Sequence, residues 1–243
     1  MKSLRNIRWH QGLFLQPQHF QLSQLVQQAL FSESLRLSYS GLESGIYEFE
    51  YDNESLTFGR VELSHLSVVM PDGSFIKLNN NANVGSLSIN IEDYSNLDRL
   101  LVSLVLPSLK RDEGNISSSK AATYAEAESL VFQDVFTGSE GVSIPLAEFN
   151  PYLAINHESN LDSSETSVVL MELQIVDDRL VEHSAFIPNI IYTHASSGAL
   201  AQLAKLKKEL LSRYEQLESF NTLHSNSTQE VSISNLRQVT ALS

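Results

Sequence analysis

Between Gly45 and Pro188 the chain is cut into short apolar or alternating runs, each closed by a turn signal. This punctuation restricts the fold more than any other feature of the sequence. Ile46-Tyr47-Glu48-Phe49-Glu50-Tyr51 mixes apolar and acidic residues and stops at Asp52-Asn53. Val61, Leu63 and His65 alternate with Arg60, Glu62 and Ser64, and Leu66 to Met70 then runs into Pro71-Asp72-Gly73. Proline presets one turn dihedral and glycine tolerates a positive one, so Ser74 to Leu78 is read as the returning strand of a hairpin. Leu100 to Leu106 is almost continuously apolar and ends at Pro107, the pattern of a strand buried on both faces. Tyr124 to Phe136 is read as a strand, Gly138 to Gly141 as a turn and Tyr152 to Ile155 as a short strand. Ser167 to Val176 carries the strongest strand signal, and Asp177-Asp178 turns it back into Leu180 to Ile187.

Many short strands separated by turns predict a mainly β fold, an antiparallel β-sandwich or barrel-like domain. The helical crossovers that a parallel, doubly wound sheet needs are missing between them.

Helical signals lie outside this region. Pro17 suits a first helical turn, where its missing N–H costs nothing, and Leu22, Leu25, Val26, Ala29 and Leu30 follow at helical spacing until about Ser38 to Gly41. Beyond Pro188, Ser196 and Ser197 are candidate N-caps. A helix over residues 199–223, about 37 Å long, places Leu203, Leu210 and Leu217 one heptad apart, with Leu206, Arg213 and Phe220 as the companion set. Arg213 interrupts the stripe and Tyr214 can cover it. Residues 221–229 read as a polar turn, with a further apolar pattern from Val231 to Val239. Burying a leucine is worth roughly 1.5–3 kcal/mol. This row of leucines therefore asks for a partner, whether the β domain, a later helix or another copy, and the heptad spacing favours another copy. A helical pattern that runs to Ser243 without a cap points to a fragment of a longer protein. The expected division is an arm, helix and β domain in 1–188 and a helical segment in 189–243.

Charge and composition exclude several functions. The formal net charge is −13, from 29 acidic and 16 basic residues. Such a surface disfavours nucleic-acid backbones and anionic membranes. With no cysteine, thiolate catalysis, disulfides and cysteine-based metal sites are out. No apolar run of signal-peptide length follows the basic first ten residues, where Gln11, Gln16, Gln18 and Gln21 interrupt it, and no run anywhere is long enough for a membrane span. The histidines at 10, 19, 65, 157, 183, 194 and 224 have no metal-ligand spacing. Neither a phosphate-cradling glycine loop nor a nucleophile elbow occurs. No enzyme, cofactor or metal site is expected, although carboxylates that meet only in space stay open.

The arm before the first helix carries the most specific signal. Trp9-His10-Gln11-Gly12-Leu13-Phe14-Leu15-Gln16-Pro17-Gln18-His19-Phe20-Gln21 resembles the opening signature of the TssK (ImpJ/VasE) family of type VI secretion baseplate components. The acidic residue usual just after the tryptophan is replaced by His10 and Gln11. Pro71-Asp72-Gly73 is similar to the family's hairpin tip, and Phe186-Ile187-Pro188 to the element that closes its β domain. The resemblance implies a cytoplasmic homotrimer of Gram-negative bacteria. It implies a shoulder domain like that of phage receptor-binding proteins, docked on a wedge of TssF and TssG. It also implies a helical neck that holds the trimer, and a C-terminal head, absent from this chain, that meets the inner-membrane complex. On this reading Trp9, Gly12, Leu13, Phe14, Pro17, Gln18, His19 and Phe20 form a protein-interaction arm. Leu203, Leu206, Leu210, Leu217 and Phe220 serve oligomerisation, with no direct membrane insertion. The open alternatives are a ligand- or carbohydrate-binding domain of a phage-like fibre and a hydrolase with carboxylates assembled in space.

Overall fold

A computed structural model describes residues 6–38, 44–94, 97, 99–110, 113–138, 140–156, 165–177 and 179–240, without the side chains of 35, 36, 38 and 220–240. Helix α1 (Pro17–Ser38) comes first, then strand β1 (Gly45–Tyr51) and a single-turn helix α2 (Asn53–Thr57). Strands β2 (Arg60–Val61), β3 (Leu63–Val69), β4 (Phe75–Lys77), β5 (Leu87–Ser88) and β6 (Leu100–Pro107) follow. Next come β7 (Tyr124–Phe132), β8 (Val142–Phe149), β9 (Tyr152–Ile155), β10 (Glu165–Val176) and β11 (Arg179–Glu182), and helix α3 (Ser197–Thr240) is last.

The fold is mainly β, and every strand pair is antiparallel. Three strands run in the order β1-β3-β4 and four in the order β11-β10-β6-β9; β2-β5 and β7-β8 form separate pairs. Ile46, Leu66, Val68 and Ile76 from the first sheet share one buried cluster with Leu100, Val102, Leu104, Leu170 and Leu173 from the second. Strand β6 lies between β10 and β9 and is buried along almost all its length, which explains its continuous apolar sequence.

Turn chemistry sets the registers. Gly73 (φ 84°) donates its N–H to Met70 O at 2.8 Å, and the Asp72 carboxylate accepts from the Ser74 N–H at 2.9 Å and the Ser74 hydroxyl at 2.8 Å. Any side chain at Gly73 would collide with Ser32 of α1, whose hydroxyl donates to Asp72 O at 3.2 Å. Asp177, at φ 50°, opens the two-residue connection between Val176 and its partner Arg179; Asp178 lies outside the described residues.

Several expected boundaries move. Asp52 does not begin a simple turn: its carboxylate accepts from Glu54 N–H at 3.0 Å and Ser55 N–H at 3.3 Å, capping α2. The strand expected to reach Phe136 stops at Phe132, because Asp134 accepts from the N–H groups of Phe136 and Thr137 and closes a loop. Strand β11 ends at Glu182, since Phe186 N–H turns back to His183 O at 2.9 Å. The polar turn expected at 221–229 is helix, as α3 continues to Thr240. Serine and asparagine lower helix propensity by less than 1 kcal/mol each, too little to stop a long helix.

Residues Met1–Ser196 and Ser197–Ser243 form two compact units. Within the first unit, Ile46 N–H bonds to Asn189 O and Ile191 N–H to Ile46 O, each at 2.9 Å, so residues 189–191 run alongside β1. Among the described residues no helix is long and apolar enough to cross a membrane.

Candidate functional site

The arm is built around two backbone devices. His10 to Leu13 form a turn closed by Leu13 N–H to His10 O at 3.2 Å, with Gly12 at φ 84° in its third position. Nothing lies within 4 Å of a Cβ built at Gly12, so its requirement is conformational and not one of space. Pro17 and Gln18 open α1, and His19 in that first turn points back. Its Nδ1 is 3.1 Å from the Gln16 N–H, which the helix cannot satisfy itself. The Trp9 ring lies 6.2 Å from the His19 ring. His19 thus fastens the arm to the helix start.

This scaffold leaves its large apolar groups uncovered. Trp9 is 53%, Phe14 80% and Phe20 58% exposed, while Leu13 and His19 are partly covered. The described elements hold these residues together along one short segment, and most of the apolar area faces away from the chain's own core.

Helix α3 presents a second apolar surface. Leu203, Leu206, Leu210 and Leu217 are all exposed, Leu210 by 67%. Leu200 and Tyr214, also exposed, flank the same stripe at heptad spacing, and Arg213 occupies the position between. The Phe220 side chain lies outside the described residues.

The acid–base groups are arranged for stability. Glu172 is nearly buried, with Oε1 2.7 Å from His183 Nδ1 and 3.4 Å from Arg99 Nε. Both neighbours bond to the same carboxylate oxygen. Tyr152 donates its hydroxyl to Glu165 at 3.0 Å, and burial with this bond pushes its pKa up to about 12. Among the described residues, no group of three or more histidines and carboxylates is placed to hold a metal ion.

A cleft of about 930 Å³ lies between α1 and the strand ends beside it, lined by Leu22, Leu25, Pro107, Tyr124 and Phe149. Thr123 lines it too, and its buried Oγ1 has no hydrogen-bond partner among the described residues.

Sequence reasoning passed over strand β8. Val142, Ile144, Leu146 and Glu148 alternate with Ser143, Pro145, Ala147 and Phe149, a period-2 signal masked by the proline. Proline forbids a ladder donor but not an edge strand. Strands β7 and β8 make a two-stranded ribbon whose side chains are mostly exposed.

Comparison with known proteins gives three results. The family model described as bacterial type VI secretion, EvfL, ImpJ, VasE matches residues 19–243, beginning inside the arm motif at His19. No curated protein matches significantly. The fold is similar to solved structures. One is a type VI secretion TssK-TssF-TssG baseplate subcomplex, with a TM-score of 0.73 at 23% identity over 89% of this chain and 72% of that one. Another is a crystal structure of TssK, with a TM-score of 0.75 at 20% identity over 89% of this chain and 49% of that one. A third is a type VI baseplate complex, with a TM-score of 0.73 at 21% identity over 90% and 70%. The chain therefore spans about half the length of the crystallised TssK.

Proposed function

The chain belongs to the VasE/ImpJ family of bacterial type VI secretion proteins, and from that premise we propose that it is a structural adaptor of the secretion baseplate. The family is a structural one and not a known enzyme family. On this reading residues 1–188 are the arm, first helix and shoulder. The two larger sheets around one core are a sandwich of the phage receptor-binding type. Residues 189–243 hold the start of the neck, whose helix opens at Ser197. The protein works as a homotrimer in the cytoplasm of a Gram-negative cell and docks on a TssF/TssG-like wedge. The link to the inner-membrane complex belongs to a C-terminal head and not to these residues.

The observation that carries this reading is the uncovered leucine row of α3, with Leu203, Leu206, Leu210 and Leu217 all facing solvent in the single chain. Full burial of a leucine is worth roughly 1.5–3 kcal/mol, and these side chains, 48–67% exposed, leave part of that ungained. Their heptad spacing matches a bundle of copies. The exposed Trp9, Phe14 and Phe20 and the partly covered Leu13, with Gly12, Pro17, Gln18 and His19 fixing their backbone, then supply apolar and aromatic anchors for a neighbour or the wedge. The fibre-domain alternative is not favoured by the family.

The test is the mass and company of the protein. Light scattering on a version with the whole neck is expected to give a trimer, and co-purification is expected to recover a TssF/TssG-like pair. A protein that stays monomeric and ignores the wedge refutes the proposal.

A further inference from the structure

Strands β7 and β8 pair with each other and with no other named strand. The base of the ribbon is anchored by Tyr124 N–H to Asn115 O at 3.0 Å and Phe149 N–H to Asn81 O at 2.8 Å. Isolated two-stranded ribbons are marginal in water and are usually covered on one face. Here one face is apolar and open. Directly paired residues share a face, and strand residues alternate. Val142, Ile144 and Leu146 therefore lie on one side of β8. Their partners are Phe132, Leu130 and Ala127. The register shift between Ala127 and Leu130 leaves two residues, Glu128 and Ser129, opposite Pro145, and this bulge turns Leu130 and Phe132 onto the apolar side. Leu130, Phe132, Val142, Ile144 and Leu146 are each between 41% and 66% exposed, and Phe136 at the tip is 95% exposed.

The electrostatics around this face decide the kind of partner. Residues 121–150 contain Glu126, Glu128, Asp134, Glu140 and Glu148 and no lysine, arginine or histidine. A second copy of the chain, itself at −13, would bring the same acids against them. We propose that the β7–β8 ribbon is a docking arm that lays its Leu130, Phe132, Ile144 and Leu146 face, with Phe136 at the tip, on a different protein. That protein presents an apolar surface bordered by lysine or arginine side chains. The inference rests on the baseplate reading, in which the wedge supplies that surface.

The experiment measures the affinity of the full chain for a TssF–TssG wedge pair at low and high salt, together with the mass of the unbound protein. Three variants are compared: Leu130→Ser with Ile144→Ser, Glu128→Lys with Glu148→Lys (Glu148 shares the side of Ile144 and Leu146), and Phe136→Ser. The last changes a side chain with almost no contacts and leaves folding intact. The expected result is a loss of wedge affinity of about tenfold or more in the apolar variants. A weakened, less salt-sensitive complex is expected for the charge-reversed one, with the mass unchanged in all. Wild-type binding that every variant retains overturns the inference and leaves the baseplate reading standing. A fall in oligomer mass with wedge affinity kept overturns it in favour of a contact between copies. A wild-type protein that does not bind the wedge overturns both.

Discussion

The Tyr51 hydroxyl donates to Glu182 Oε2 at 2.7 Å, joining the last residue of β1 to the last residue of β11 across 131 positions of sequence. It is a direct tie between the three-stranded and four-stranded sheets. Burial first, then this bond and the charge of Glu182, hold the Tyr51 proton well above the ordinary tyrosine range.

The sign of the pH effect follows from that shift. The folded chain binds this proton more tightly than the unfolded chain does. The stabilisation is therefore complete below the unfolded value of about 10 and is lost as pH rises above it toward the folded value. Denaturant midpoints are expected to fall from about pH 10 upward, and Tyr51→Phe should make that fall shallower. Near neutrality the same substitution should cost about 1–3 kcal/mol, the worth of a hydrogen bond to a charged acceptor. An unchanged alkaline slope would show that the tie does not hold the sheets.

Trp9 reports on the arm, because it is the only tryptophan in the chain. His19→Ala removes both the ring 6.2 Å from the indole and the acceptor for Gln16 N–H. Trp9 emission is expected to change in wavelength or intensity, α1 to lose about 0.5–1.5 kcal/mol of local stability, and the β-sheet circular dichroism to stay as it is. Emission identical to wild type would mean that the indole and imidazole do not associate.

Glu172 offers a double-substitution cycle. His183→Ala leaves a nearly buried carboxylate with only the longer Arg99 contact and should destabilise by about 1–3 kcal/mol. Adding Glu172→Gln removes the charge that was left behind and should recover part of the loss. Urea unfolding of the two single variants and the double variant measures the coupling, and strict additivity would contradict it.

Leu203→Asp with Leu210→Asp places two charges on the α3 stripe. Self-association is expected to weaken by at least tenfold in analytical ultracentrifugation, with the sheet signal kept, since the β unit has its own core. Loss of the sheet signal together with the oligomer would mean that these leucines are needed to fold the chain.

The elements legible in the sequence were those whose signal is local. The apolar run of β6, the long β10, the Pro71-Asp72-Gly73 hairpin and the heptad row of α3 each declare themselves within a dozen residues. The arm motif was equally readable, as were its glycine turn and its proline at the helix start. Strand β8 was not, because Pro145 breaks the local rule and only pairing with β7 overrides it. The bulge that turns Leu130 and Phe132 onto the apolar face was hidden for the same reason, since it exists only as a mismatch between two strands.

Sequence alone determined that this chain is mainly β and that a helix with an apolar stripe follows the strands. Those properties follow from side-chain periodicity and composition, which a single strand or helix already expresses. Tertiary structure decided which strands share a sheet, that Tyr51 meets Glu182, that Glu172 meets His183 and Arg99, and that the β7–β8 ribbon carries an open apolar face. Each of these depends on which distant residues are brought together. That choice is made by the joint burial of Ile46, Leu104 and Leu170 in one core, which no local window of sequence can express.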